Sequence, residues 1–182
     1  MTDDEHFERT VTNAERLWSD SKLLNAHSRE KSAIILAVFA IEELGKALIT
    51  SWGVKNIASK REHPTHAKKQ SATFALLCAN EMLKKNRKRM QKQIEQGTIN
   101  FLKIGPFSHQ FAWTRQGFFD GLRMAATYAD KDPKFPTELA DQFDSELPTE
   151  LQEWFRKAIL TTRNIKAMTL AAAIYANGLG KL

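Results

Sequence analysis

The sequence predicts an all-α bundle of about five helices, on three observations. Apolar residues recur three and four apart along most of the chain. No stretch shows the strict alternation of a strand, and no internal repeat is visible. Gly and Pro are few, at eight and five of 182 residues, while Lys, Glu, Ala and Leu are plentiful, a composition that favours helix. The length suits one domain spanning 1–182.

The first helix is expected over roughly residues 3–26. Thr2 and Glu5 have capping-box spacing, and Phe7, Val11, Ala14, Leu17, Ser21 and Leu24 recur after them at helical intervals. Asn13 and Asp20 lie two turns apart on one of its faces. Asn25 and His27 belong to a turn, with Ser28 as the N-cap of a second helix that runs to about Trp52 and stops at Gly53.

The second helix contains the stretch that organises the chain, Ala33–Lys46. Nine apolar residues run from Ala33 to Ile41, far short of the ~20 a membrane span needs. At ~100° per residue, Ala33, Ala37, Ala40, Leu44 and Ala47 form a small-residue side that would let another helix approach closely. Glu42, Glu43 and Lys46 fall on the opposite side with Ile35 and Phe39. A helix apolar on nearly every face is a buried one, so this charged trio is expected inside or at the edge of a core. Glu42–Lys46 and Glu43–Lys46 are both within pairing distance on a helix. Two readings stand: a salt-bridged trio that sets helix register, or a functional group of charges.

Residues Val54–Glu62 form a polar connection. Pro64 suits the first turn of a third helix, in which His66 and Lys69 share a face. A solvent-exposed histidine is the commoner explanation of His66. Cys78, inside the run FALLCA with no basic neighbour in sequence, is a small core residue rather than a nucleophile. Further on, Lys84, Lys85, Arg87, Lys88, Arg89 and Lys92 cover every face of the helix until Gly97 ends it. That run is either a solvated helix end or a phosphate-binding surface.

Ile99–Pro106 is a break. Phe107, Phe111, Trp113, Phe118 and Phe119 crowd the start of a fourth helix expected over Ser108–Thr127, and exposed aromatics there, with the small-residue side of the second helix, point to a homodimer. Pro133 and Pro136 rule out a continuing helix in the acidic stretch from Asp130 to Glu153. Pro148 opens a last helix, Thr149–Asn177, closed by Gly178.

A single cysteine provides no disulfide framework, and the acidic start MTDDEHFER has no secretory h-region, so a cytoplasmic protein is expected. The net charge of +6 and pI near 9.5 permit a nucleic-acid partner without requiring one.

Four groups of residues now stand in order: Asn13-Ala14 with Leu17 and Asp20; AIEELGK at Ala40–Lys46; HxxK at His66–Lys69; and Arg123 ahead of Tyr128-Ala129-Asp130. In this arrangement the chain resembles the AbiV abortive-infection family, a branch of the HEPN superfamily of helical domains. One departure stands out: Ala126-Thr127 precede Tyr128 where the family tends to have Gly-Leu. The resemblance implies a HEPN-like bundle, a bacterial antiphage effector that halts phage at the cost of the infected cell, and a dimer. It implies action on RNA or the translation machinery, and metal-independent ribonuclease activity as found in many HEPN relatives. A restraining partner of antitoxin type or a phage protein also falls within its scope.

The Arg-x4–6-His motif of those nucleases is missing from the last helix, where Arg163 is followed by NIKAMT. Arg61-Glu-His-Pro-Thr-His66 satisfies the count across a loop and a helix start. The resemblance strengthens a candidate catalytic set of Glu42, Glu43, Lys46, His66, Lys69, Arg123, Tyr128 and Asp130. In it, His66 or a carboxylate would take a proton from a ribose 2′-OH, and Lys46, Lys69 or Arg123 would stabilise charge on phosphate. The competing readings are a non-catalytic interaction protein binding a phage or ribosomal component, and a metal enzyme. No Glu-x-x-His pair of the di-iron kind occurs, so no cofactor or metal is expected.

Overall fold

The structure is a computed structural model that describes residues 3–53, 64–85, 107, 110, 113–114, 116–128 and 146–179. Among these residues helices joined by turns are the only regular structure. The helices are α1 (Asp3–Ala26), α2 (Glu30–Ser51), α3 (His66–Lys85), α4 (Phe118–Tyr128), α5 (Leu147–Thr162) and α6 (Ile165–Leu179).

Helix α2 is the axis of the bundle. It packs against α1, α3, α4 and α5, while α3 bridges from α2 to α6. Its buried positions go all the way round, from Ala33 and Ala37 on one side to Ile34, Ile41 and Glu42 on the others, as an apolar run flanked by charge predicts. The small-residue side is covered by this chain's own helices: Ala33, Ala37, Ala40, Leu44 and Ala47 are all fully buried. At Ala33 the approach is close enough for Ser21 Oγ to donate to its carbonyl at 2.7 Å. Gln152 Nε2 donates in turn to Ser21 Oγ at 3.0 Å, and Trp18 Nε1 to the Gln152 carbonyl at 3.0 Å. Together these bonds clamp α1, α2 and α5 and satisfy polar groups that would otherwise be buried unpaired.

The crossing of α2 and α3 is tighter still. A Cβ added at Gly45 would lie 1.8 Å from the carbonyl oxygen of Lys69. Only a residue without a side chain lets the two backbones approach this closely. Next to this crossing, Thr73 Oγ1 donates to the Ile41 carbonyl at 2.8 Å.

Several local expectations need correction. Ser28 is not an N-cap: it takes a left-handed φ of 53° in the turn after α1, and α2 starts behind Arg29 without a side-chain cap. Gly53, with φ 59°, ends α2 as expected. The expected fourth helix is interrupted: Gln110, Trp113 and Thr114 are helical, Gly117 with its φ of 74° turns the chain, and α4 follows. The last helix is two helices. Asn164 caps the second, its Oδ1 accepting from the backbone N–H of Lys166 at 3.1 Å and of Ala167 at 3.3 Å, a local bond that competes with helix continuation.

The aromatic cluster also differs from expectation. Phe119 is fully buried and Phe107 nearly so; Phe119 stacks on Phe74 at 5.0 Å and meets Trp154 edge-on. These rings fill the core, with Trp113 left partly exposed. The small-residue side of α2, and Phe107 and Phe119 of the aromatic group, are therefore occupied within the chain. Thr2, Phe111, the basic run beyond Lys85, and the acidic stretch from Asp130 to Ser145 lie outside the described residues, as does the side chain of Lys85. Among the described residues no helix is long and apolar enough to cross a membrane.

Cys78 packs against the core, and burial pushes its thiol up to about 12, with Glu81 adding to the effect. As the one cysteine of the chain, it should react with maleimide near pH 8 only slowly in the native state and quickly in urea, measured by mass shift against time. Gly45→Ala should lower unfolding stability by about 3 kcal/mol or more, because α2 and α3 must separate to admit the methyl group. Urea denaturation followed by circular dichroism measures this, and wild-type stability in that variant would refute the close crossing.

Candidate functional site

The α2–α3 crossing assembles the first part of the site. Glu42, one turn before the crossing on α2, has a side chain 5% exposed. Its Oε2 lies 2.6 Å from His66 Nδ1, and its Oε1 accepts from Gln70 Nε2 at 2.8 Å. His66 and Gln70 are four residues apart, so both project from one face of α3. An ionised carboxylate only accepts, so with Glu42 ionised the contact is donated by His66 Nδ1–H. The other imidazole nitrogen is left for solvent or a ligand, and the His66 side chain is 46% exposed. A buried carboxylate is tolerated only when its lone pairs are met; in this site one oxygen meets an imidazole and the other an amide.

The second part is a polar chain between α1 and α2. Glu43 Oε2 lies 3.5 Å from Lys46 Nζ and accepts from Asn13 Nδ2 at 3.3 Å. Asn13 Oδ1 in turn accepts from Arg16 Nη2 at 3.1 Å, while Arg16 Nη1 pairs with Asp20 Oδ2 at 3.0 Å. Asn13 therefore faces the trio, as its position on α1 suggests, whereas Asp20 turns to Arg16.

The trio is thus divided: Lys46 pairs with Glu43, and Glu42 leaves the helix surface for α3. Pairing along α2 alone would have kept Glu42 with Lys46. The buried position of Glu42 and the nearness of α3 make His66 and Gln70 its partners instead.

Arg123, on α4, pairs with Asp120 Oδ1 at 2.5 Å, and its guanidinium lies over the Phe39 ring at 5.5 Å. Phe39 is one turn before Glu42 and Glu43 on the same side of α2, and no bond from Arg123 to either carboxylate occurs among the described residues. Lys69 is held by its backbone at the crossing. The Tyr128 side chain and Asp130 lie outside the described residues. Of the basic run, Lys84 is 61% exposed and pairs with Glu81 at 2.9 Å; Arg87, Lys88, Arg89 and Lys92 lie outside the described residues.

Gln70 and Arg16 are the members that reading the sequence misses. Gln70 carried a signal: it lies four residues before Phe74, a buried residue, and so on a face that turns inward. Among the described residues no group of three or more His, Cys, Asp or Glu side chains is placed to hold a metal ion.

Compared with known proteins, the chain matches the family model described as AbiV, of the HEPN class, over residues 5–151. No curated protein and no solved structure gives a match. The matched span includes α1 to α4, and with them both polar groups of the site.

His66→Ala and Glu42→Ala should both lower stability, Glu42→Ala the more. Removing half-exposed His66 takes one partner from the buried Glu42 carboxylate but opens that oxygen to water, and should cost about 1–2 kcal/mol. Removing Glu42 leaves the Gln70 amide buried without its acceptor and opens a cavity, which should cost about 2–4 kcal/mol. Equal losses in urea denaturation would contradict the burial of Glu42 beneath α3.

Proposed function

The chain belongs to the AbiV family of HEPN domains, and on that premise we propose that it is an antiphage abortive-infection effector that acts on RNA with His66 as general base. The observation that carries this reading is the Glu42–His66 contact: a buried carboxylate holds Nδ1 of a half-exposed imidazole at 2.6 Å. The carboxylate orients the ring, selects the tautomer and stabilises the imidazolium once a proton arrives.

In the proposed step His66 Nε2 takes the proton of a ribose 2′-OH. The 2′-oxygen attacks the adjacent phosphorus, the bond to the 5′-oxygen breaks, and the leaving oxygen takes a proton from solvent. The products are a 2′,3′-cyclic phosphate and a 5′-hydroxyl. Lys46, Lys69 and Arg123 are the cations assigned to the charge that develops on phosphate. Glu43 holds Lys46, and Tyr128 and Asp130 are retained as further members of the site on family resemblance. The net charge of +6 permits a polyanionic substrate, and the run Lys84–Lys92 is assigned to its backbone. Homodimerisation is proposed on the family alone.

His66→Ala should abolish both phage protection and RNA cleavage in EDTA while the protein remains folded. If the variant protects as well as wild type, the polar set is a structural network and the chain acts by binding a protein. Changing Lys85, Lys88 and Lys92 together to Gln should flatten the salt dependence of single-stranded RNA binding by about two units of slope, at roughly 0.7 per phosphate contact. An unchanged slope would remove the basic run from the interface.

A further inference from the structure

We propose that Gln70 is a positioning residue that keeps the shared proton of the Glu42–His66 pair on His66 Nδ1, so that the outward Nε2 stays unprotonated. Its functional meaning rests on the reading of His66 as a base.

Gln70 is fully buried. Because a carboxylate cannot donate while ionised, the Gln70 amide must turn its nitrogen toward Glu42 Oε1, at 2.8 Å. That orientation leaves Gln70 Oε1 buried with no hydrogen-bond partner among the described residues. A buried orphan acceptor carries the full desolvation cost of its carbonyl, which an apolar side chain of equal length would avoid. Packing therefore does not account for an amide at this position, whereas the bond to Glu42 does.

The two oxygens of Glu42 have different tasks. Oε2 holds the imidazole, and Oε1 is stabilised as part of an anion by the amide N–H. A hydrogen bond donated to a carboxylate favours its ionised form. Without that donor Oε1 is no longer held, the carboxylate is free to turn about its Cγ–Cδ bond, and Oε2 no longer fixes the Nδ1–H. The ring's proton then passes through solvent from Nδ1 to Nε2, the nitrogen that faces water. The outward nitrogen would then be a donor with no lone pair for a substrate hydroxyl. Neighbouring charges do not replace the amide: Glu43 and Lys46 pair with each other, and Gln70 is the residue that meets Oε1.

The test is imidazole 15N NMR on the intact protein, held at a pH where His66 is neutral. The chain has five histidines, and His66→Ala assigns the signal. In wild type the ring should be in the Nδ1–H form. In Gln70→Met, which keeps the length and removes the donor, that form should fall to a minority and Nε2–H should replace it. If Gln70→Met does not fold, Gln70→Asn withdraws the amide by one methylene and should shift the tautomer in the same direction. A wild-type ring in the Nε2–H form overturns the proposal outright. So does a variant that melts lower while keeping the wild-type tautomer, because Gln70 would then be structural only.

RNA cleavage reads the other question. Loss of up to the ~10²–10⁴-fold due to a general base, in parallel with the tautomer change, supports both readings. A tautomer that depends on Gln70 in a protein that cleaves no RNA upholds the positioning role and removes the ribonuclease.

Discussion

Helix α2 meets α3 at a point where one of them has no side chain. With the carbonyl of Lys69 in the space a Cβ on residue 45 would occupy, the two axes lie closer than any other residue would allow. The geometry of the site depends on this closeness. Glu42 is three residues before the contact on α2, and His66 and Gln70 lie on either side of Lys69 on α3. Close backbones bring a short side chain within direct hydrogen-bonding distance of two others, with no room needed for bridging water. The rest of the bundle holds this crossing in place: α1 and α5 lock the far side of α2 through Ser21 and Gln152, and α6 supports α3.

The same closeness accounts for a charge in the interior. Glu42 is buried because α3 covers it, and an ion in that position is destabilising unless its oxygens are paired. Glu43 is next to it in sequence but points toward α1, where Asn13 and Lys46 meet it in partial contact with solvent. Adjacent carboxylates on one helix thus have different environments, one dry and shared with an imidazole, the other wet and paired to a lysine.

The all-α fold, the helix over Asp3–Ala26, the central burial of Ala33–Leu48 and the stop at Gly53 were legible because each depends on local periodicity or on a single residue's backbone preference. Ser28 and Asn164 were not, because a polar residue before a helical stretch serves equally as a cap, a left-handed turn or an interruption. Which it becomes depends on the angle at which the next helix must leave. Phe119 was read as part of a surface because the residues that cover it, Phe74 and Trp154, are distant in sequence.

For this protein the sequence by itself determined that α2 would be buried and would carry charge into the core, since nine apolar residues with Glu-Glu-Leu-Gly-Lys directly after them allow little else. It also named most of the residues that gather there. What only the tertiary structure decided is how they pair. Helical spacing places Lys46 within range of both Glu42 and Glu43, and nothing local chooses between them. The crossing chooses: it gives Glu42 an imidazole and an amide in a dry contact and leaves Lys46 to Glu43. Gln70 becomes part of the site for the same reason, because the role of a buried amide is set by the group across the helix interface and not by its neighbours in the chain.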